Sequence, residues 1–160
     1  MKTDKFLIGI VIGAAVLVIA ASAIVLGRPE PTYLPDTAPE NIVQNYILAV
    51  QQEDYSRAYS YLSPEVKSYP IDVTDFKRDL ERFTAYQNQV ESLAVEDVSL
   101  LGDTATVFIS AQVYYQGGLF DSGQYSNTYR YELDRLSGEW KLSSGDAFFA
   151  YCWNADIGCE

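Results

Sequence analysis

The chain has 160 residues, of which 48% are apolar and 21% are charged, and its formal net charge is −11. This length suffices for one compact domain of about 100 to 150 residues plus a short additional segment, and it excludes two full domains. Because the negative charge repels phosphate groups, we expect no nucleic-acid partner.

The N-terminal part of the chain is one long apolar run. Residues 6–26 read FLIGIVIGAAVLVIAASAIVL and carry no charge. At 1.5 Å per residue, a helix of this length spans roughly 30 Å, the thickness of a bilayer's hydrocarbon core. Lys2 and Lys5 precede the run, whereas acidic residues dominate after it. The positive-inside rule therefore predicts a single-pass anchor in the cell membrane, with residues 1–5 cytoplasmic and the domain extracytoplasmic.

Two other features of the run affect its interpretation. Ala21-Ser22-Ala23 fits a small-residue cleavage site, so a cleaved signal peptide is the alternative to an anchor. Gly9 and Gly13 are four residues apart, a spacing that permits close helix packing in a bilayer. The helix face that carries these two glycines is therefore predicted to pack against a helix of another membrane protein subunit.

A proline-rich segment follows the run. Residues 27–38 read GRPEPTYLPDTA, with prolines at 29, 31 and 35. Such a composition favours extended polyproline conformations. We predict a semi-rigid linker between the anchor and a domain over residues 39–146.

Three amphipathic helices are predicted to begin this domain. Thr37 and Glu40 form a capping box for the first helix, Asp54 can cap the second, and Thr74 can cap the third. Apolar residues follow helical spacing in each of them: Val43, Tyr46, Ile47 and Val50, then Tyr55, Ala58, Tyr59 and Leu62, then Phe76, Leu80 and Phe83.

From about Val90 the apolar period changes to two, which is typical of strands. We expect a bulge at Glu96-Asp97, turns at Gly102-Asp103 and Ser137-Gly138, and a loop between Gly117 and Gly123. Helices followed by such a meander predict an α+β fold of three helices packed on a curved four-stranded antiparallel sheet.

The stretch AVQQEDYSRAYSYLSPE at residues 49–65, followed by a helix and a meander that closes on GEWKLS, resembles the nuclear transport factor 2-like superfamily of cone-shaped α+β domains. It is similar to membrane-anchored or secreted bacterial members of undefined function, sometimes called lumazine-binding-like. The resemblance covers about residues 37–146 and implies the cone fold.

This resemblance leaves the activity open, because the superfamily includes isomerases, dehydratases, transport adaptors and assembly subunits. Its enzymes commonly pair a cavity carboxylate with a histidine or tyrosine, and this chain contains no histidine. We therefore assign no catalytic residue and no cofactor.

The curved sheet of a cone can enclose an apolar cavity. Because side chains alternate along a strand, the aromatic residues of the sheet cannot all point inward. Asp121 is the best isolated candidate for a general base, and a turn aspartate that caps its own backbone is the alternative. The candidate cavity residues are Phe108, Tyr114, Tyr125, Asn127, Tyr129 and Tyr131.

The C-terminal tail, residues 147–160, is aromatic and contains both cysteines. Cys152 and Cys159 can pair in an oxidising compartment, whereas the lack of histidine and of further cysteines argues against a metal site. The aromatic side chains either fold back over the open end of the cone or present a patch to a partner. They are Phe148, Phe149, Tyr151 and Trp153.

We therefore predict a membrane-anchored extracytoplasmic binding module, an accessory or assembly subunit of a larger membrane protein complex and not an enzyme. The alternative is a small apolar-ligand binder, or a histidine-free isomerase or dehydratase that uses the cone cavity.

Overall fold

The computed structural model describes residues 5–26, 31–84, 90–118 and 121–159, with side chains placed for residues 8–22, 31–84, 92–112 and 123–159. The chain divides into two compact units, Met1–Thr32 and Tyr33–Glu160. The second unit therefore begins within the predicted linker.

The first unit contains helix α1, Lys5–Leu26. Within the described part of the chain, no helix combines the length and the hydropathy that crossing a bilayer demands. This finding overturns the predicted single-pass anchor, and with it the predicted cytoplasmic N-terminus and extracytoplasmic domain. Gly9 and Gly13 lie on α1, where a Cβ at either would meet no atom within 4 Å.

Three further α-helices belong to the second unit: α2, Pro39–Gln51, α3, Tyr55–Tyr61, and α4, Val73–Phe83. The described residues thus form four α-helices, one more than the three predicted for the cone. The additional helix is α1 of the first unit, which does not qualify as a membrane span. A short 3₁₀ helix, Tyr151–Asn154, lies in the tail.

The helix starts differ from the prediction in two of three cases. The carboxylate of Asp54 accepts from the backbone N–H of Arg57 at 3.1 Å, which confirms this cap. Helix α2 begins after Ala38, which makes no side-chain cap bond, so the predicted capping box at Thr37 is wrong. The proline at the first helical position favours the start of the helix there instead. Helix α4 is capped by Asp72 rather than Thr74, since a carboxylate two residues earlier accepts from two backbone N–H groups.

Four strands are present: β1, Val90–Leu101, β2, Thr104–Gly118, β3, Asp121–Leu136, and β4, Glu139–Gly145. They form an antiparallel meander in the order β1-β2-β3-β4, as predicted. The register of β1 shifts between Val95 and Asp97, which confirms the bulge, and Gly102 and Gly138 take positive φ values of 64° and 91° in their turns.

One face of this sheet is apolar and buried, whereas the other is polar. Ser110 and Ser126 share a hydrogen bond of 2.8 Å on the polar face, and Thr128 donates to Glu96 at 3.0 Å. A sheet buried on one side produces this alternation. The buried residues of the apolar face include Ala105, Val107, Ile109 and Ala111 of β2, Tyr131 and Leu133 of β3, and Trp140 and Leu142 of β4.

The C-terminal tail folds back into the core. Trp153 is 0% exposed, its ring stacks on Phe76 with 5.1 Å between centroids, and its indole N–H donates to Asp79 at 3.1 Å. The hydroxyl of Tyr46 donates to the carbonyl of Phe148 at 2.5 Å. These contacts make the tail part of the domain's interior. The predicted disulfide between Cys152 and Cys159 is confirmed.

Buried tyrosines should make stability fall at alkaline pH. Burial penalises the phenolate and raises the pKa of both Tyr46 and Tyr131 above its ordinary value. An unfolded tyrosine ionises near pH 10. The stability that these groups contribute is therefore complete below about pH 10 and is lost above it, with a slope of up to about 1.4 kcal/mol per pH unit for each tyrosine.

Guanidinium unfolding between about pH 8 and 11 would measure this slope. We expect Tyr46→Phe to flatten it and Tyr151→Phe, at an exposed position, to leave it unchanged. A free energy of unfolding that stays constant across this range would contradict the assignment.

Candidate functional site

The predicted cavity residues of β3 lie on the helix-facing side of the sheet, but they differ in access. Tyr131 is buried and its hydroxyl donates to the carbonyl of Ala147 at 2.9 Å, so it has no free donor for a ligand. Tyr129 and Asn127 are half-buried and joined by a hydrogen bond of 3.3 Å, and Tyr125 is 40% exposed. Access therefore increases along β3 towards the β2–β3 hairpin.

Phe108 lies on the other face of the sheet. It is opposite Arg130 in the register, and it alternates with the buried residues Val107 and Ile109. A residue of this parity cannot line a cavity on the helix-facing side, so the prediction is wrong for Phe108.

Two other candidates cannot be placed at the level of side chains. Tyr114 lies in β2 and pairs with Gln124, and Asp121 begins β3 and pairs with Gly118. Their side chains lie outside the described ones. The backbone at Asp121 is nevertheless strand, where a loop was predicted.

The aromatic residues of the tail occupy interior space. Phe148, Phe149 and Trp153 are buried, whereas Tyr151 is 70% exposed. Of the four predicted interface residues, three contribute to the domain's own core and one offers a ring to the surface.

A pocket of about 340 Å³ lies on the outside of the second unit, where α3 meets β4. We call it the α3–β4 pocket. Its volume is within the range of sites for small organic ligands. It is lined by Asp36, Ile42, Ser60, Tyr61, Glu139, Trp140 and Lys141.

Asp36 is the best-positioned charged group of this pocket. Its carboxylate accepts from the hydroxyl of Tyr61 at 3.0 Å and from the amide of Asn45 at 2.6 Å. The Nε of Arg57 in turn donates to the Tyr61 hydroxyl at 3.1 Å. This chain of hydrogen bonds orients the carboxylate before any ligand arrives.

Asn45 explains why Asp36 stands in this position. Its side chain is 1% exposed and bonds both backbone groups of Leu34, each at 2.8 Å. Asn41, one turn earlier on α2, donates to the carbonyl of Pro35 at 2.9 Å. Residues 33–36 are therefore docked on α2, although the composition of this segment predicted a spacer. Two asparagines one helical turn apart were the signal that could have indicated this docking.

The other charged groups of the pocket are paired with one another. The ammonium of Lys141 lies 3.0 Å from Glu139 and donates to the carbonyl of Ser60 at 3.0 Å. Asp36 and Glu139 outnumber Lys141, so the lining has a net negative charge. Burial raises the pKa of Tyr61, and its bond to Asp36 acts in the same direction while Arg57 opposes it. Tyr61 therefore stays neutral at pH 7 and acts as a donor rather than as a base.

No family model and no curated protein matches the sequence. Solved structures do share the fold. A SEC-C motif containing protein from Rhodopseudomonas palustris has a TM-score of 0.50 and 22% identity, over 70% of this chain and 80% of that chain. At the level of fold alone, the second unit is similar to nuclear transport factor 2-like proteins.

Two further likenesses are weaker. An NTF-2 like protein of unknown function from Shewanella oneidensis MR-1 has a TM-score of 0.44 and 8% identity, over 66% of this chain and 92% of that chain. The association domain of CaMKII from C. elegans has a TM-score of 0.47 and 12% identity, over 66% of this chain and 88% of that chain. At such identities a likeness concerns the fold alone.

Replacing Asn45 tests the docking of residues 33–36. Asn45→Ala removes three hydrogen bonds, and we expect a loss of about 1 to 2 kcal/mol in the free energy of unfolding. We also expect faster cleavage by chymotrypsin after Tyr33. Asn41→Ala is the matched control on the same helix, since it removes one exposed bond and should cost less than about 0.5 kcal/mol. Equal effects of the two substitutions would contradict the role given to Asn45.

Proposed function

We propose that the nuclear transport factor 2-like unit is a non-catalytic binding module that takes the cationic group of a small organic ligand in the α3–β4 pocket. The observation that carries this proposal is the Asp36 carboxylate, which Tyr61 and Asn45 hold in place beside apolar walls.

Charge favours a cation over an anion. The pocket has two carboxylates against one ammonium, and the whole chain has a net charge of −11. A negative potential of this kind attracts cations and repels carboxylates and phosphates. Because Lys141 is already engaged by Glu139 and by the carbonyl of Ser60, an anionic ligand would have to compete for it.

The walls of the pocket suit the carbon skeleton of such a ligand. Ile42 is 2% exposed and Trp140 is 8% exposed, so each presents only a small apolar area to the pocket. A primary or quaternary ammonium on a short alkyl chain fits both the negative charge of the pocket and its apolar walls.

The chemistry of the pocket supports binding more than catalysis. Tyr61 is kept neutral, and the chain has no histidine to serve as a proton acceptor near pH 7. The isomerase or dehydratase alternative would use Asp36 as the proton acceptor, but Tyr61 and Asn45 already donate hydrogen bonds to this carboxylate. Association with other protein subunits and the absence of a nucleic-acid partner stay predictions from the sequence.

Titration with n-butylammonium tests the proposal, with n-butyrate as the anionic counterpart of similar size. We expect only the ammonium to bind, as measured by calorimetry and by the fluorescence of Trp140. The chain has two tryptophans, so Trp140→Phe should abolish the fluorescence change while the heat of binding remains detectable.

Matched carboxylate substitutions locate the site. Asp36→Asn should weaken binding about tenfold, and Glu139→Gln, whose side chain is 74% exposed, about threefold. Asp97→Asn removes the same charge from an exposed position on β1 and should have no effect. Equal weakening by all three variants would indicate a response to net charge, and preferential binding of butyrate would overturn the proposal.

A further inference from the structure

A second hollow of about 270 Å³ lies where the tail crosses the start of α4, and we call it the tail hollow. Asp79 and Cys159 are both part of its lining. The carboxylate of Asp79 and the sulfurs of Cys152 and Cys159 all lie within 4.8 Å of one another. These three groups are of the types that bind soft divalent cations.

We propose that reduction of the disulfide converts these three groups into a Zn²⁺ site. Around tetrahedral zinc, sulfur and oxygen ligands lie about 3.3 to 3.8 Å apart. Once the S–S bond is broken, the two sulfurs must move apart to this spacing, whereas the carboxylate of Asp79, already within 4.8 Å of both, must move closer. The fourth position would face the tail hollow, where water can complete the coordination.

The redox step is a two-electron reduction. A dithiol or phosphine reductant supplies two electrons, the S–S bond breaks, and each sulfur takes up one proton to become a thiol. Zn²⁺ then replaces these two protons, which are released to solvent. In the disulfide the sulfurs carry no charge, so the oxidised protein offers the metal only Asp79.

The surroundings would hold the ligands in place without the disulfide. Asp79 is 2% exposed on α4 and accepts from the indole of Trp153 at 3.1 Å. Cys152 is 2% exposed next to Trp153 in the 3₁₀ helix, and Trp153 is fixed by stacking on Phe76. Two of the three ligands are therefore fixed by packing that does not involve the S–S bond.

Arg78 would balance the charge of the metal site. Two thiolates and one carboxylate around Zn²⁺ leave a net charge of −1. The guanidinium of Arg78 lies 3.1 Å from the carboxylate of Asp79 and 2.6 Å from that of Asp75. A cation hydrogen-bonded to a ligating carboxylate acts as an outer-shell partner that orients it.

Cobalt titration of the full chain in a phosphine reductant tests the proposal. Co²⁺ bound to thiolates gives charge-transfer absorption in the near ultraviolet, and Zn²⁺ should abolish this signal by displacement. We expect one equivalent of Co²⁺ to bind the reduced protein and to give this absorption. The oxidised protein should not give it. Absence of the signal after reduction would overturn the proposal.

Two carboxylate variants decide whether Asp79 is a ligand. Asp79→Asn should weaken Zn²⁺ binding at least tenfold, whereas Asp75→Asn, on the same helix and lining the same hollow, should not. If both variants bind as tightly as the natural chain, or lose affinity equally, the three-ligand site is wrong.

The near-ultraviolet circular dichroism of the buried Trp153 checks the framework. It should persist after reduction and in Asp79→Asn, whose amide oxygen can still accept from the indole. Loss of the signal on reduction alone would mean that the disulfide holds the ligands together, and this outcome too would overturn the proposal.

Discussion

The hydrogen bond from the indole of Trp153 to the buried carboxylate of Asp79 is the contact on which the arrangement of the second unit depends. It joins the 3₁₀ helix of the tail to α4, across 74 residues of sequence. A buried carboxylate without partners would cost several kcal/mol, and a buried indole N–H would also require an acceptor. Each group therefore satisfies the other, and Arg78 completes the pairing of Asp79 from the surface.

Once Trp153 is fixed, the preceding residues of the tail have little freedom. The carbonyls of Ala147 and Phe148 accept from Tyr131 and Tyr46, one tyrosine from the sheet and one from α2. The space between helices and sheet is thus filled by the protein's own side chains around Tyr131. A cone-shaped domain can hold a ligand in that space, but in this part of the cone the tail takes its place. This is why we assign ligand binding to a pocket on the outside.

The sequence predicts what depends on local periodicity. The meander, its bulge near Asp97 and the cap at Asp54 follow from alternation and side-chain chemistry within a few residues. The cap of α4 was missed because Asp72 and Thr74 are both suitable cap residues and local chemistry does not choose between them. The role of Asn45 was missed because it depends on a segment eleven positions away. Parity could have excluded Phe108, because it alternates with apolar residues on both sides. The apolar composition of residues 6–26 predicted a membrane span that the described helix does not provide.

The α3–β4 pocket and the tail hollow are each bordered by a docked segment from one end of the second unit. Residues 33–36 bring Asp36 to the α3–β4 pocket, and the tail brings Cys159 to the tail hollow. The first of these ends is held mainly by hydrogen bonds of Asn45, which specify geometry while adding only modest net stability. Segments held in this way open at lower free energy than the core does. A ligand bound to Asp36 would therefore also stabilise the docked segment, which couples occupancy of the pocket to the order of residues 33–36. The tail differs, because Trp153 anchors it in the core. Core packing thus fixes the side of the tail hollow next to Trp153, whereas the α3–β4 pocket has one wall that its ligand can help to fix.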